Sequence, residues 1–163
     1  MQTHYDSVIT KIKDNNPPQQ TSLLTPKVFL YNIKSYQTEL FKYLDRNPKY
    51  VIIKDKEKIY ENLFNIVILS LNYLKKTTSI QDSEIITKNR TLFMQKNKDY
   101  GNSFEDFELI GILVRLNDKM NRIISLDQNQ SQNVLDENSE DTINDLYNYG
   151  IIGLMFKEFE RTK

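Results

Sequence analysis

Apolar residues recur every three or four positions through most of this chain, and this pattern constrains the fold more than any other feature. The clearest case follows Thr25-Pro26, where a hydroxyl cap and a proline at the first helical position mark a helix start. The apolar positions that follow are Val28, Phe29, Ile33, Tyr36, Leu40, Phe41 and Leu44. The pattern predicts an amphipathic helix over residues 26–46, which Asn47-Pro48 ends.

The same periodicity predicts the other helices. They are expected over residues 3–14, over 54–76, from Ser79 or Asp82 into the stretch 95–104, from Ser103 to about Leu126, and from about Ser139 to Arg161. The β-branched segment 50–53 (YVII) could form a strand, but the sequence offers it no partner strand. We therefore expect an all-α bundle of five or six helices.

Composition narrows the chemistry. The 163 residues are enough for one domain with a real core. The 22 basic and 22 acidic residues leave no basic excess, which argues against a nucleic-acid backbone as the main partner. The chain has no cysteine and a single histidine, His4. Thiolate sites are thereby excluded and a histidine-based catalytic or zinc site is not expected, so chemistry must rest on carboxylates, lysines, arginines, tyrosines and hydroxyls.

No stretch of the sequence approaches 18 uninterrupted apolar residues, and the N-terminus lacks the apolar core of a signal peptide. We expect a soluble protein with no membrane partner. Its expected location is the cytoplasm, or the host cytoplasm if the source is a virus.

The helix predicted up to Leu126 carries one group of charged residues at helical spacing. Arg115, Asp118, Lys119 and Arg122 follow one another at intervals that place them on one face. Two arginines and a lysine there could hold phosphate oxygens. The same residues also fit a solvated face, stabilised by pairing of Asp118 with Arg122.

The last predicted helix begins with acidic residues. Glu137, Asp141 and Asp145 are spaced by four, so they line one face if the helix starts early enough. Such a face suits Mg²⁺, which prefers a few carboxylate oxygens and keeps several waters. Acids in a first turn also complement the helix dipole, which explains Asp141 better than Asp145 because Asp145 lies beyond that turn.

The stretch 95–104 (QKNKDYGNSF) lies between two predicted helices. Lys96 and Lys98 could neutralise phosphate, Tyr100 could stack on a base, and Asp99 could bind a metal or a sugar hydroxyl. A helix stop followed by a helix start explains the lysines, the glycine and the serine equally well. That explanation does not require Asp99 or Tyr100.

Three segments taken in order resemble the nucleotide-modification-associated domain family of phages and other DNA viruses. They read KNKDYGNSF, VRLNDKMNRI and DENSEDTINDLYNYGI. The matching residues are Lys96, Asn97, Asp99, Tyr100 and Gly101; Arg115, Asp118, Lys119 and Arg122; and Glu137, Asp141, Thr142, Asp145, Leu146 and Tyr149. The resemblance covers roughly residues 90–156, and the order and spacing of three elements make it more specific than any single one.

The acidic helix is also similar, more weakly, to that of MazG-like all-α nucleotide pyrophosphohydrolases. That superfamily holds magnesium with Glu-x-x-Glu on one helix and Glu-x-x-Asp on another. Here Glu105 and Glu108 have the first spacing but fall directly after Ser103, and the acids of the last helix are spaced by four. By the same analogy we expect a homo-oligomer, although the apolar helices could equally close on themselves.

These resemblances imply a magnesium-dependent enzyme that acts on a nucleotide, with nucleoside triphosphate pyrophosphohydrolysis as the expected reaction. Mg²⁺ would be held by Asp141 and Asp145, with Glu137 or Asp118 as a further ligand. The developing charge would be neutralised by Lys98, Arg115, Lys119 and Arg122, and the base would be addressed by Asn97 and Tyr100. Residues 1–80 would be a helical extension packed on the same core, and residues 81–163 would carry the site.

Two alternatives remain open at this point. The first is a non-catalytic nucleotide-binding accessory domain, which would use the same cationic face without a metal. The second is a helical protein-interaction module, in which Arg115 and Arg122 would form interhelical salt bridges to Asp141 and Asp145.

Overall fold

The computed structural model describes residues 2–15, 24–47, 49–99, 108–129 and 137–161, and within these ranges the chain is almost entirely helical. The helices are α1 (Gln2–Asn15), α2 (Pro26–Lys42), α3 (Lys56–Thr78), α4 (Asp82–Asp99), α5 (Leu109–Asn129) and α6 (Glu137–Arg161). The predicted all-α bundle of five or six helices is confirmed, because six helices occur in the described ranges. No helix in these ranges is long and apolar enough to cross a membrane.

The predicted start of α2 is confirmed by a single hydrogen bond, and the ends of α3 and α4 are as follows. Thr25 caps α2 and accepts a bond from the backbone N–H of Val28 at 3.2 Å, with Pro26 following it. Asp55 caps α3 in the same way through the N–H of Lys58. Ser79 does not start α4 but ends α3 in the left-handed conformation, with φ of 58°. Asp82, the other predicted start, is the first residue of α4.

The segment between α2 and α3 departs from the prediction. The helix predicted to residue 46 ends at Lys42, and Leu44–Asn47 (β1) pairs with Tyr50–Ile53 (β2) as a two-stranded antiparallel hairpin. The prediction that the YVII segment lacks a partner strand is therefore wrong. Leu44 fits the helical period of α2 but pairs with Ile53 instead, because Tyr50–Ile53 runs back antiparallel along Leu44–Asn47.

The start of α5 also differs from the prediction. The helix begins at Leu109 and runs to Asn129, and Glu108 precedes it with a non-helical backbone. The predicted start at Ser103 lies outside the described residues.

Four of the helices form a ring in which each contacts the next. Helix α2 packs on α3, where the aromatic rings of Phe29 and Tyr73 stack with their centroids 4.0 Å apart. Helix α3 packs on α6, α6 packs on α5, and α5 returns to α2. The last contact includes hydrogen bonds from Gln37 to Asn117 and Asn121. This is a four-helix bundle with antiparallel neighbours, and it draws two helices from each half of the chain.

Helices α1 and α4 lie against this ring. Helix α1 buries Tyr5, Val8, Ile9 and Ile12, and α4 buries Ile85, Ile86 and Phe93. Residues on both sides of position 80 thus share one core, while the predicted division into an extension and a site-bearing region stays a prediction.

Candidate functional site

A carboxylate on α6 lies between two lysines from other helices. Asp145 Oδ2 is 3.0 Å from Nζ of Lys119 on α5, and Asp145 Oδ1 is 3.5 Å from Nζ of Lys96 on α4. The side chains of Asp145 and Lys119 are 31% and 25% exposed, and that of Lys96 is 53% exposed. We call these three residues the lysine–aspartate site. It brings three helices together and leaves one unit of positive charge in excess.

Helix α5 presents Lys119 to α6 because of where its apolar stripe lies. Lys119 is half-buried and lies next to the fully buried Leu116 and Met120, so its stem packs at the edge of the core. The other members of the predicted charged face, Arg115, Asp118 and Arg122, are exposed. The predicted face is therefore present, but Lys119 is the member whose contact with α6 the structure describes.

The predicted acidic face of α6 is divided in the same way. Asp145 is half-buried in the lysine–aspartate site, whereas Asp141, one turn earlier, is exposed. The predicted magnesium ligand Glu137 is the first residue of α6, and its side chain lies outside the described residues. Asp145 is thus the acid that the described contacts tie to cationic partners on two other helices.

A resident metal site of three protein ligands does not occur in the described part of the chain. No group of three His, Cys, Asp or Glu residues there lies close enough to hold an ion. Mg²⁺ is commonly bound through one or two carboxylates together with substrate phosphates. Asp141 and Asp145, spaced by one helical turn, are two carboxylates of this kind on one helix.

The predicted loop element is described only in part. Asn97 lies in the last turn of α4 and is half-buried. The side chains of Lys98 and Asp99 and the whole of Tyr100 lie outside the described residues, so their predicted roles stay predictions. Lys96 is the lysine of this element whose contact with Asp145 is described.

Asparagines join α4 to α6 close to this site. Asn89 on α4 donates to Asn144 Oδ1 at 2.9 Å and accepts from Asn148 Nδ2 at 3.1 Å. Asn144 and Asn148 lie on either side of Asp145 in α6. The Asn148 side chain also accepts from the Tyr5 hydroxyl at 2.9 Å.

The sequence analysis missed Asn89 and the contact of Lys96 with Asp145. Lys96 was noted as a lysine that could neutralise phosphate, but its convergence with Lys119 depends on how three helices pack. Asn89 had a signal that could have been used. It lies four residues after Ile85 and four before Phe93, so it is a polar residue within a buried apolar stripe. Such a residue needs hydrogen-bond partners, and this one has them.

Packing among α1, α4 and α6 shifts the pKa of several side chains. The Arg90 guanidinium donates to both carboxylate oxygens of Asp6, at 2.7 and 3.0 Å. This hydrogen bonding lowers the pKa of Asp6 and raises the pKa of Arg90. Burial raises the pKa of Tyr5 and of Tyr147, so both hydroxyls stay neutral at ordinary pH.

A cavity of about 160 Å³ borders α6 on another side. Its lining includes Glu84, Lys88, Glu140 and Asn144, with apolar residues from the end of α3. Glu140 and Asn144 directly precede Asp141 and Asp145 in the chain. Neighbouring residues of an α-helix point in directions roughly 100° apart, because a turn holds about 3.6 residues. The cavity and the lysine–aspartate site therefore lie on different sides of α6.

The fold and site together define a helical-bundle protein with a cationic, carboxylate-centred surface site. Residues 96–156 match a family model described as nucleotide modification associated domain 1. The match covers somewhat more than a third of the 163 residues and contains all three residues of the lysine–aspartate site. The predicted resemblance to such a domain is confirmed for this segment, while the MazG-like similarity and the viral source stay predictions. Comparison with curated proteins and with solved structures returned no match.

Proposed function

We propose that this protein binds a nucleotide through its phosphates at the lysine–aspartate site. The observation that carries the proposal is the convergence of Lys96 and Lys119 on Asp145, within the segment that resembles a nucleotide modification associated domain. Two ammonium groups within 3.5 Å of one carboxylate leave a net positive charge available to an anion.

The partial exposure of the site supports the same proposal. Ion pairs at the surface stabilise a fold only weakly, by about 1 kcal/mol or less. Lys96 and Lys119 can therefore turn from Asp145 to phosphate oxygens at small cost. Arg115 and Arg122 lie one turn to either side of Lys119 along α5 and are exposed, so they extend the positive surface along the helix.

The reaction we propose is hydrolysis of a nucleoside triphosphate to a monophosphate and pyrophosphate. A water oxygen forms a bond to the α-phosphorus and loses a proton to solvent, and the bond from that phosphorus to the bridging oxygen of pyrophosphate breaks. Such chemistry depends mostly on positioning and charge neutralisation. Lys96 and Lys119 would hold the phosphates, and Asp141 and Asp145 would hold Mg²⁺. The ion would supply charge neutralisation at the phosphate oxygens.

The test is a screen of canonical and modified deoxynucleoside triphosphates with and without Mg²⁺. It measures the melting temperature and the release of pyrophosphate. We expect a raised melting temperature and magnesium-dependent release with at least one nucleotide. A shift that is independent of Mg²⁺ and comes without turnover would favour a non-catalytic binding domain. No shift and no release with any nucleotide would contradict the proposal.

Asp145→Asn separates a catalytic carboxylate from a structural one. If Asp145 serves the reaction, the variant loses turnover and keeps its melting temperature. If Asp145 instead holds the helices together, the melting temperature falls by several degrees, because two lysines lose their shared partner.

The alternative of a helical interaction module also has a specific observation behind it. The pairs of Asp145 with Lys96 and Lys119 join α6 to α4 and α5, as interhelical ion pairs in such a module would. It predicts that exchanging the charges of Lys119 and Asp145 restores stability and that no nucleotide raises the melting temperature. The expected homo-oligomer stays a prediction, which sedimentation of the purified protein would check.

A further inference from the structure

A chain of hydrogen bonds among three asparagines and one tyrosine joins three helices beside the lysine–aspartate site. Asn89 on α4 and Asn144 on α6 are buried, as is Tyr5 on α1. Tyr5 donates to Asn148 Oδ1, Asn148 donates to Asn89 Oδ1, and Asn89 donates to Asn144 Oδ1. We call these four residues the amide chain.

The amide chain uses the polar atoms of Asn89 fully. Its Nδ2 donates both to the Ile85 carbonyl at 3.1 Å and to Asn144, and its Oδ1 accepts from Asn148. Asn144 Nδ2 in turn donates to the Glu140 carbonyl at 3.0 Å. A buried amide left without a partner destabilises the fold, because its lost bonds to water are not replaced. Any slide of α4 along α6 would break these bonds, so the chain favours one register of the two helices.

This register determines where Lys96 lies. Lys96 follows Asn89 by two turns on α4, and Asp145 lies between Asn144 and Asn148 on α6. Lys119 reaches Asp145 from α5, which the described hydrogen bonds of the amide chain do not include. The two lysines of the site are therefore positioned by different contacts.

Helix α1 completes the arrangement from the N-terminal part of the chain. Its Tyr5 ring stacks on Phe93 of α4, with centroids 4.5 Å apart, while the hydroxyl closes the amide chain. The neighbouring Asp6 receives two hydrogen bonds from Arg90, which follows Asn89. Helix α1 thus contacts α4 through one stacked ring and one two-pronged ion pair, and it contacts α6 through the Tyr5 hydroxyl.

We infer that Asn89 is a positioning residue that places Lys96 against Asp145 in the nucleotide site. The Tyr5 hydroxyl supports it through the amide chain. The reference to a nucleotide rests on the proposed function, whereas the positioning itself does not. Helix α1 lies outside the segment that resembles a nucleotide modification associated domain, and it thereby helps to position a lysine of the site.

Zero-length crosslinking tests the positioning without any nucleotide. A water-soluble carbodiimide activates a carboxylate, and a lysine amine in ion-pair contact then forms an amide with it. In the unmodified protein we expect both the Lys96–Asp145 and the Lys119–Asp145 crosslinks, quantified by peptide mass spectrometry. In Asn89→Ala the first crosslink should fall by about threefold or more, because α4 loses the hydrogen bonds that hold its register. The second should stay unchanged and serves as the internal reference.

Two further variants keep the test decisive. Tyr5→Phe removes one hydroxyl and keeps the ring stack, so it replaces Asn89→Ala if that variant fails to fold. We expect a smaller fall in the same crosslink. Asn62→Ala removes another buried amide, one that donates to the Lys58 carbonyl within α3, and should change neither crosslink. An equal fall of both crosslinks in Asn89→Ala and Tyr5→Phe, or no fall in either variant, would overturn the inference.

Adding deoxynucleoside triphosphate to the unmodified protein separates this inference from the proposed function. A nucleotide whose phosphates occupy the two lysines should lower the yield of both crosslinks. If the nucleotide lowers the yield of neither crosslink while Asn89→Ala still lowers the Lys96–Asp145 crosslink selectively, the positioning holds and the proposed function fails.

Discussion

Two regions of α6 are held to the rest of the protein in opposite ways. In its middle, Gly150 and Gly153 face Leu63 and Val67 of α3, and we call these four residues the glycine seam. A Cβ at Gly150 would lie 2.5 Å from Val67 Cγ2, and one at Gly153 would lie 2.7 Å from Leu63 Cδ1. Nearer its start, α6 instead presents the lysine–aspartate site, whose side chains keep partial access to solvent.

The difference separates stability from function along one helix. Van der Waals contact dominates the glycine seam, where the absence of a Cβ lets α3 and α6 approach closely. Ion pairs at a partly exposed surface add little to the free energy of unfolding, and they remain available to a ligand. A substitution in the seam should therefore change stability, and one in the lysine–aspartate site should change binding.

The largest expected effect is that of Gly150→Ala. Alanine favours a helix over glycine by about 1 kcal/mol, so an exposed position would gain stability. Here the added methyl group overlaps Val67, whose branched side chain has little rotamer freedom in a helix. We expect a net loss of about 1–3 kcal/mol in the free energy of unfolding, measured by urea denaturation followed by circular dichroism.

Two matched variants sharpen this prediction. Gly153→Ala meets the far end of Leu63, a more flexible side chain, so its loss should be smaller. Val67→Ala should destabilise the natural protein but be better tolerated in the Gly150→Ala background, because it removes the overlap. A Gly150→Ala variant more stable than the natural protein would show that the two regions of α6 do not differ as described.

Lys119→Met should have the opposite profile. The methionine keeps an apolar stem at the edge of the core, so we expect a change in the free energy of unfolding of less than about 1 kcal/mol. Loss of one ammonium group from a phosphate should weaken nucleotide affinity by about tenfold, since a hydrogen bond to a charged group contributes about 1.5–3 kcal/mol. Isothermal titration calorimetry measures the second effect. Unchanged affinity with a clear loss of stability would support the interaction module instead.

The contrast between the two regions also explains what the sequence could predict. The helices followed from apolar spacing, and the starts of α2 and α4 followed from Thr25-Pro26 and Asp82, because these signals are local. The charged face around Lys119 and the acidic spacing that includes Asp145 were likewise visible as helical periods.

The missing parts depend on contacts between distant segments. The hairpin was missed because Leu44 continues the helical period of α2, and only the return of the chain through residues 50–53 supplies its partner. The glycine seam needs α3 and α6 to be paired before Gly150 acquires a neighbour. The meeting of Lys96 with Lys119 needs the packing of three helices, which no local spacing contains.

A third region lies where α1 meets α4. Its contribution to the free energy of unfolding should depend on pH. Hydrogen bonding from Arg90 lowers the pKa of Asp6 below its ordinary 3.8. The stability from this pair is present above the unfolded pKa and is lost as pH falls through the lower folded pKa. Because both side chains are more than a third exposed, solvent screening limits the contribution to less than about 1 kcal/mol.

Asp6→Asn tests this directly. At about pH 6 the variant should be less stable than the natural protein, and the difference should shrink as the pH falls through the lowered folded pKa of Asp6. Urea denaturation at a series of pH values measures it. A difference that persists unchanged at the acid end would mean that the amide itself disturbs α1, and that the ion pair is not the cause.

The smallest expected effect comes from an ion pair outside all three regions. Lys58 pairs with Glu61 within α3 at 3.3 Å, and both side chains are largely exposed. Lys58→Met should therefore leave the unfolding curve and the nucleotide affinity unchanged. It removes one positive charge from a chain of zero net charge, as Lys119→Met does. If both variants weaken nucleotide binding equally, the loss reflects overall charge; if only Lys119→Met does, it reflects the lysine–aspartate site.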